Sequence, residues 1–236
     1  MPPPATPDIK TGIWENTKEI LTKLVVPPTT EFARLLPDGI VLGVAVLAMI
    51  SFSKSYTVLL GSMVELMLVQ RLAATAIAGA SPILGGPNVK EPVCQSGFMY
   101  KNLMRTSLIE TLGRPSYFPS PTMFFVSGIL SYMVGAVQEF TKEITTLGGD
   151  ISTRRVLVMS FSIMFLIVLF AFRNVYGCEE FGPLLLSIIF GALAGFIIMQ
   201  QNKALFGRDS LNLLNLPVIV SALERGKPMF VCGPSN

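Results

Sequence analysis

The sequence predicts an all-α membrane protein with about four transmembrane helices as two helical hairpins, linked by irregular but ordered loops and tails. Three observations predict it. The first is composition: 51% of the 236 residues are hydrophobic and only 14% are charged, against about 25% charged in a soluble domain. The second is that the charges are unevenly spread. They gather in the tails and the middle and nearly vanish from a few long apolar runs, as the cost of charge in hydrocarbon requires. The third is where Lys and Arg fall, which groups the runs into pairs.

Residues 1–34 read as a Pro-rich tail followed by an amphipathic helix. Met1–Pro7 lacks the basic and apolar regions of a cleaved signal peptide, so insertion is expected to rely on the internal runs. From Asp8 to Val26, Ile9, Ile13, Ile20, Leu21 and Leu24 share one side at helical spacing, with charged residues elsewhere. Asp8 suits an N-cap, and Pro27-Pro28 is expected to end the helix. Its apolar face suits either packing on protein or lying on the membrane surface, with Trp14 as an interfacial anchor.

Residues 35–80 form the first predicted hairpin. One run covers Leu35–Phe52, opened by Pro37-Asp38. The second starts near Tyr56 and continues into the small residues Ala73–Ala80. Ser53-Lys54-Ser55 separates them. About 20 residues span a bilayer, so one continuous helix would be about twice the needed length, and a bend at Lys54 is favoured over it.

Residues 81–155 read as an ordered interfacial region on the basic side. Gly and Pro cluster at Ser81–Pro87 and Arg114–Pro121, which marks loops. Phe98, Tyr100, Tyr117 and Phe118 make it too aromatic for a disordered linker. Met123–Val137 is apolar but only about 15 residues long, with Ser127, Ser131 and Tyr132 inside it. It is expected to be buried or interfacial rather than a fifth span.

Residues 156–200 form the second predicted hairpin. Arg154-Arg155 precedes the clearest span, Val156–Phe172, which ends at Arg173. Pro183–Met199 is the last span, and Gln200–Lys203 is expected to end it in water. Residues 201–236 read as an extended tail.

Lys and Arg are enriched in cytoplasmic loops beside spans. Here they fall in both tails and the middle, while the two short turns hold only Lys54 and Arg173. Two hairpins then place both tails and the middle on one side and both turns on the other. Lys54, Arg154, Arg155, Arg173 and Lys203 serve as topology anchors. Cys94 and Cys232 share a side on this scheme and could form a disulfide, with Cys178 across the bilayer. Free thiols on a reducing side are the favoured alternative.

The candidate functional residues are few. The chain has no histidine and no CxxC pair, which argues against His-based catalysis, a zinc site or a thioredoxin-type motif. No catalytic residue, metal ligand or cofactor site is expected. A net charge of +3 is too small for phosphate-driven nucleic-acid binding, and no small-molecule substrate is implied. Glu65 is the one charge well inside a span. It reads either as a proton or ion relay or as a group paired with a neighbouring helix, Lys54 or Arg71, the latter being favoured. Gly39/Gly43 and Gly191/Gly195 carry the small-xxx-small spacing of close helix packing.

Several motifs together resemble a membrane-protein family of large nucleocytoplasmic double-stranded DNA viruses. They are Tyr117-Phe-Pro-Ser-Pro121 with Phe124-Phe125, Leu147-Gly-Gly149, Thr153-Arg154, Gly177-Cys-Glu-Glu-Phe-Gly182, Gln201–Gly207, Ser210–Leu214 and Gly226–Cys232. The resemblance covers roughly residues 35–235 and has no catalytic motif to carry over. It implies a structural protein of the virion inner membrane beneath the capsid, held in host membrane during assembly, whose partners are the bilayer and capsid proteins. Other readings of the residues are an accessory subunit of a multi-subunit membrane complex, such as a respiratory assembly, and a small transporter or channel using Glu65.

Overall fold

The computed structural model describes residues 26–80, 94, 118–141 and 151–213. Among these every regular element is a helix. The elements are α1 (Val26–Ser51), α2 (Lys54–Ala80), α3 (Pro121–Glu139), α4 (Ile151–Val175), α5 (Phe181–Phe206) and a 3-10 helix, Arg208–Leu211. The expected helix over residues 8–25 lies outside the described residues. Pro27 and Pro28 sit in the first turn of α1, where the missing N–H groups would have no intrahelical partner anyway.

The bend at Lys54 is real. Helix α1 stops at Ser51, and Phe52 adopts the left-handed conformation with φ 48°. For a side chain with a Cβ that conformation costs roughly 1 kcal/mol, and it turns the chain sharply. Ala33, Leu36, Ile40, Val41 and Val44 then pack on the core along one stripe of α1, so α1 folds back beside α2.

Contacts fix the helix directions. Ser55 Oγ donates to the Asp209 carbonyl, Asn202 donates to Ser62, and Gln70 Nε2 donates to the Pro119 carbonyl. Helix α2 therefore runs opposite to both α3 and α5. Between α3 and α5 the close approaches are Phe124 with Gly191, Gly128 with Gly195, and Gly135 with Met199, so these two helices run parallel. Helix α4 connects them and runs back, bringing Arg173 beside Thr122. The bundle thus has a proximal end, where α3 and α5 begin, and a distal end, where they finish beside the α1–α2 turn.

Helix α3 is the centre. The buried share of the apolar windows rises from 11% in α1 through 28% in α5 and 39% in α2 to 61% in α3. Met123, Phe124, Phe125, Val126, Ile129 and Tyr132 are nearly sealed from solvent. The outer faces of α1, α4 and α5 are the reverse, with exposed large apolar residues such as Leu42, Ile50, Phe161, Ile167, Leu193 and Ile197. Apolar area on that scale is unusual for a protein in water and is the ordinary surface of one in lipid.

Four helices are long and apolar enough to cross a membrane: Glu31–Ser51, Lys54–Ile77, Pro121–Glu139 and Phe181–Phe206. The chain is an integral membrane protein with the expected number of such helices, but one of the four differs from expectation. The 122–140 run is buried, as its polar residues suggest, and it is also of spanning length. The run expected as the clearest span appears as the shorter apolar helix Met159–Val175 among the described residues. One consequence overturns the predicted sidedness. With α3 as a full-length central helix, the start of α1 and the end of α5 lie at opposite ends of the bundle, where the two-hairpin scheme put them at the same end; the tails beyond them lie outside the described residues.

Candidate functional site

The polar residues of the bundle collect in two places, one at each end. At the proximal end, the sharp α4–α5 turn is closed by Gly177 at φ 62° and by the Cys178 N–H donating to the Arg173 carbonyl. This turn carries Arg173 inward. Arg173 and Glu179 are both buried and form an ion pair at 2.7 Å. The guanidinium also lies within 3.5 Å of the Cys94 carbonyl oxygen and Thr122 Oγ1. Beside the pair, Cys94 is bonded to Cys178, with Cα atoms 5.1 Å apart and 84 residues between them in sequence.

This corrects three expectations. Cys94 and Cys178 are not the free thiols that were favoured, and the bond is Cys94–Cys178, not Cys94–Cys232, whose Cys232 lies outside the described residues. The two-hairpin scheme had put Cys178 across the bilayer from Cys94, whereas the end of α2, the start of α3 and the α4–α5 turn meet at one end. Arg173 is correspondingly not a solvated anchor at a turn. It is a buried cation whose charge Glu179 compensates, as burial demands.

The second collection fills the distal half. Asn202, 4% exposed, donates through Nδ2 to Ser62 Oγ at 2.6 Å and to the Tyr132 hydroxyl at 3.3 Å. This ties α5 to α2 and α3 at one level. One turn away, Gln201 Nε2 donates to Glu65 Oε1 at 2.8 Å. Nearer the end of the bundle, Glu139 pairs with Lys203 at 2.9 Å and with Arg208 Nε at 3.1 Å. Arg208 also donates to the Glu139 carbonyl and stacks over the Phe140 ring. Lys54 Nζ donates to the Phe206 carbonyl at 2.8 Å, and the Tyr56 hydroxyl donates to the Leu213 carbonyl at 2.9 Å. Gly207, at φ 83°, turns the chain out of α5 so that the 3-10 helix can reach these groups.

Glu65 therefore pairs with a neighbouring helix, as favoured, but its partner is Gln201 and neither Lys54 nor Arg71. Lys54 and Lys203 were expected on opposite sides of the membrane, and both sit at the distal end. Arg154 and Arg155 fall in the first turn of α4, and their side chains lie outside the described residues. Gly191 and Gly195 do seat α5 on α3: a Cβ at Gly195 would stand 2.0 Å from the Gly128 carbonyl oxygen. Gly39 and Gly43 do not pack against any of the described residues, since a Cβ there meets nothing within 4 Å.

Sequence reasoning missed Asn202, Ser62 and Glu139. Gln200–Lys203 reads as a span dissolving into water, because three polar residues precede a lysine. In fact α5 continues to Phe206, and its 100° rotation per residue aims Asn202 inward while Gln200 stays exposed. The available signal was Ser62 and Glu65, one turn apart on α2. Among the described residues no cluster of three acidic, cysteine or histidine side chains could hold a metal. No family model matches the chain, and no curated protein or solved structure matches it either.

Proposed function

We propose that the chain is a membrane-anchored structural protein, a minor capsid component that links a virion inner membrane to an icosahedral shell. One observation carries the structural half of this reading: α3 fills the centre of the bundle. Its Gly128 meets Gly191 and Gly195 of α5 at backbone contact distance, and the polar side chains inside bond to one another. A conduit would need a wet path where α3 packs. The capsid half rests on the motifs named in the sequence, from Tyr117–Pro121 to Gly226–Cys232. In this reading the helices anchor, and one of the two segments outside them, 81–117 beyond the proximal end or 214–236 beyond the distal end, makes the contacts to the shell.

Mass spectrometry of proteins cross-linked to the full chain in mild detergent tests this. The expected partner is a shell protein of double jelly-roll fold, joined through lysines of one of those two segments and not of both. Redox or ATPase subunits would point instead to an accessory subunit of a respiratory-type complex. Ion flux in liposomes that is abolished by Glu65→Gln would defeat the structural reading in favour of transport.

A further inference from the structure

The lipid-facing side of the bundle carries a groove of about 370 Å³ between α2 and α5. Small side chains open it: Ala73 on α2 faces Ala194 on α5, and Phe124 of α3 forms part of the lining behind them. Its walls are otherwise apolar, Val69, Ile77, Leu193 and Ile197 among them. One end alone is polar, where Glu65 and Gln201 stand.

The position of that polar end narrows what the groove can hold. Gln201 lies within one turn of Lys203, whose ion pair with Glu139 is partly exposed at the distal end. Charged groups of that kind set the level of the membrane boundary. The carboxylate therefore sits just beneath the boundary, and the groove runs from it toward the proximal end, into hydrocarbon depth. From Glu65 to Ile77 is twelve residues, about 18 Å at 1.5 Å rise per residue, which is the reach of an extended lipid chain and not of a headgroup.

The chemistry of the polar end narrows it further. Glu65 Oε1 accepts from Gln201, and Oε2 has no hydrogen-bond partner among the described residues. Polar groups facing lipid without a partner are costly, so the occupant must bring a donor to the carboxylate while its remainder matches an apolar trough. An anionic headgroup brings negative charge to a carboxylate and is disfavoured, and a zwitterionic one would have to draw its phosphate below the boundary with its cation. We propose that this groove is a binding site for a neutral lipid with a hydroxyl head, its O–H donated to Glu65 and its hydrocarbon lying along Val69, Ala73 and Ala194. This goes beyond the structural role proposed above and does not depend on it.

The test uses the full chain in phosphatidylcholine nanodiscs with a diacylglycerol carrying a diazirine midway along one acyl chain. A phosphatidylcholine with the same acyl diazirine is run in parallel. After illumination, cross-linked peptides are located by mass spectrometry. The expected result is labelling of the 69–77 and 193–198 segments at least fivefold stronger with diacylglycerol than with phosphatidylcholine. Glu65→Leu should bring the two probes to equal labelling, and Ala73→Leu, which fills the trough, should reduce both. Thermal unfolding of each variant in detergent confirms that it is folded, and Glu65→Gln supplies a near-isosteric second variant that keeps an acceptor and should retain the preference. Equal labelling by both probes on the unaltered chain would overturn the proposal, as would diacylglycerol label spread evenly over the exposed face of α1.

Discussion

Gly191 and Gly195 on α5 have the same four-residue spacing as Gly39 and Gly43 on α1, within helices of equal length and similar apolarity. On α5 the glycines let two backbones touch, and any Cβ at either position would lie 2.0–2.3 Å from an atom of α3. On α1 the same pair faces outward and meets nothing within 4 Å. The difference teaches what holds a bundle of this kind together. In lipid, an apolar side chain gains little by leaving its solvent, so helices associate through close packing and hydrogen bonds. The seam between α3 and α5 has both, with Gly128, Gly191 and Gly195 along it and Asn202 bonded to Tyr132 at its distal end. Helix α1 has a single stripe against the core, and its remaining apolar face is exposed among the described residues.

The sharpest way to break this comparison is Gly195→Leu. Its Cβ would stand 2.0 Å from the Gly128 carbonyl oxygen, backbone that cannot move as a flexible side chain could. The expected destabilisation is about 3 kcal/mol or more, read as loss of cooperative unfolding in an SDS titration from mixed micelles. Next in size is Arg173→Met. It leaves Glu179 buried without its cation, and breaking a buried pair from one side costs about 3 kcal/mol. The double variant Arg173→Met, Glu179→Leu should recover part of that loss in the same titration. If it does not, the guanidinium acts mainly through the Cys94 carbonyl and Thr122.

Cys178→Ser follows, at about 2–3 kcal/mol: the chain-entropy value for an 84-residue separation is about 4.5 kcal/mol, and helices held in a micelle keep part of that constraint when the bond is absent. Adding reductant to the unaltered protein should produce the same shift and slow its migration on a non-reducing gel, while the variant should ignore reductant. Asn202→Leu is smaller. Hydrogen bonds between membrane helices contribute roughly 1 kcal/mol, and Ser62 keeps a second bond to the Val58 carbonyl when Asn202 is lost.

The helices were largely legible because their signal is apolar length, and length survives any arrangement. The hairpin at Lys54 followed from the same arithmetic, since a helix through Ser53 would overshoot the bilayer. What failed was sidedness. Counting Lys and Arg treats each as solvated at a loop, and Arg173 defeats that by turning inward onto Glu179. Removing it from the count removes much of the reason for placing the α4–α5 turn opposite the middle region, and with it the separation of Cys94 from Cys178. The run 122–140 was harder for a related reason. Its serines and Tyr132 lower its hydropathy because it packs against protein on most sides, so the feature that makes α3 central is the one that makes it look too weak to span. Glu65 and Gln201 stand 136 residues apart in sequence, and no local pattern on either helix marks the other as its partner.

The smallest expected effect is the most informative about α1. Gly43→Leu adds a side chain where the isolated chain offers open space, and replacing glycine within a helix removes a propensity penalty of about 1 kcal/mol in water. The expected outcome in dilute detergent is an unfolding free energy unchanged or raised by a few tenths of a kcal/mol, well apart from Gly195→Leu. The measurement is best made at two protein-to-detergent ratios differing tenfold. An effect that is absent at both leaves α1 a lipid-facing strut. A loss that appears only at the higher ratio means that the Gly39–Gly43 face packs against a second copy, with the same backbone-to-backbone geometry that Gly191 and Gly195 use within the chain. A loss at both ratios contradicts the outward placement of this face and would require α1 to be rotated by about half a turn relative to the stripe Ala33, Leu36, Ile40 and Val44.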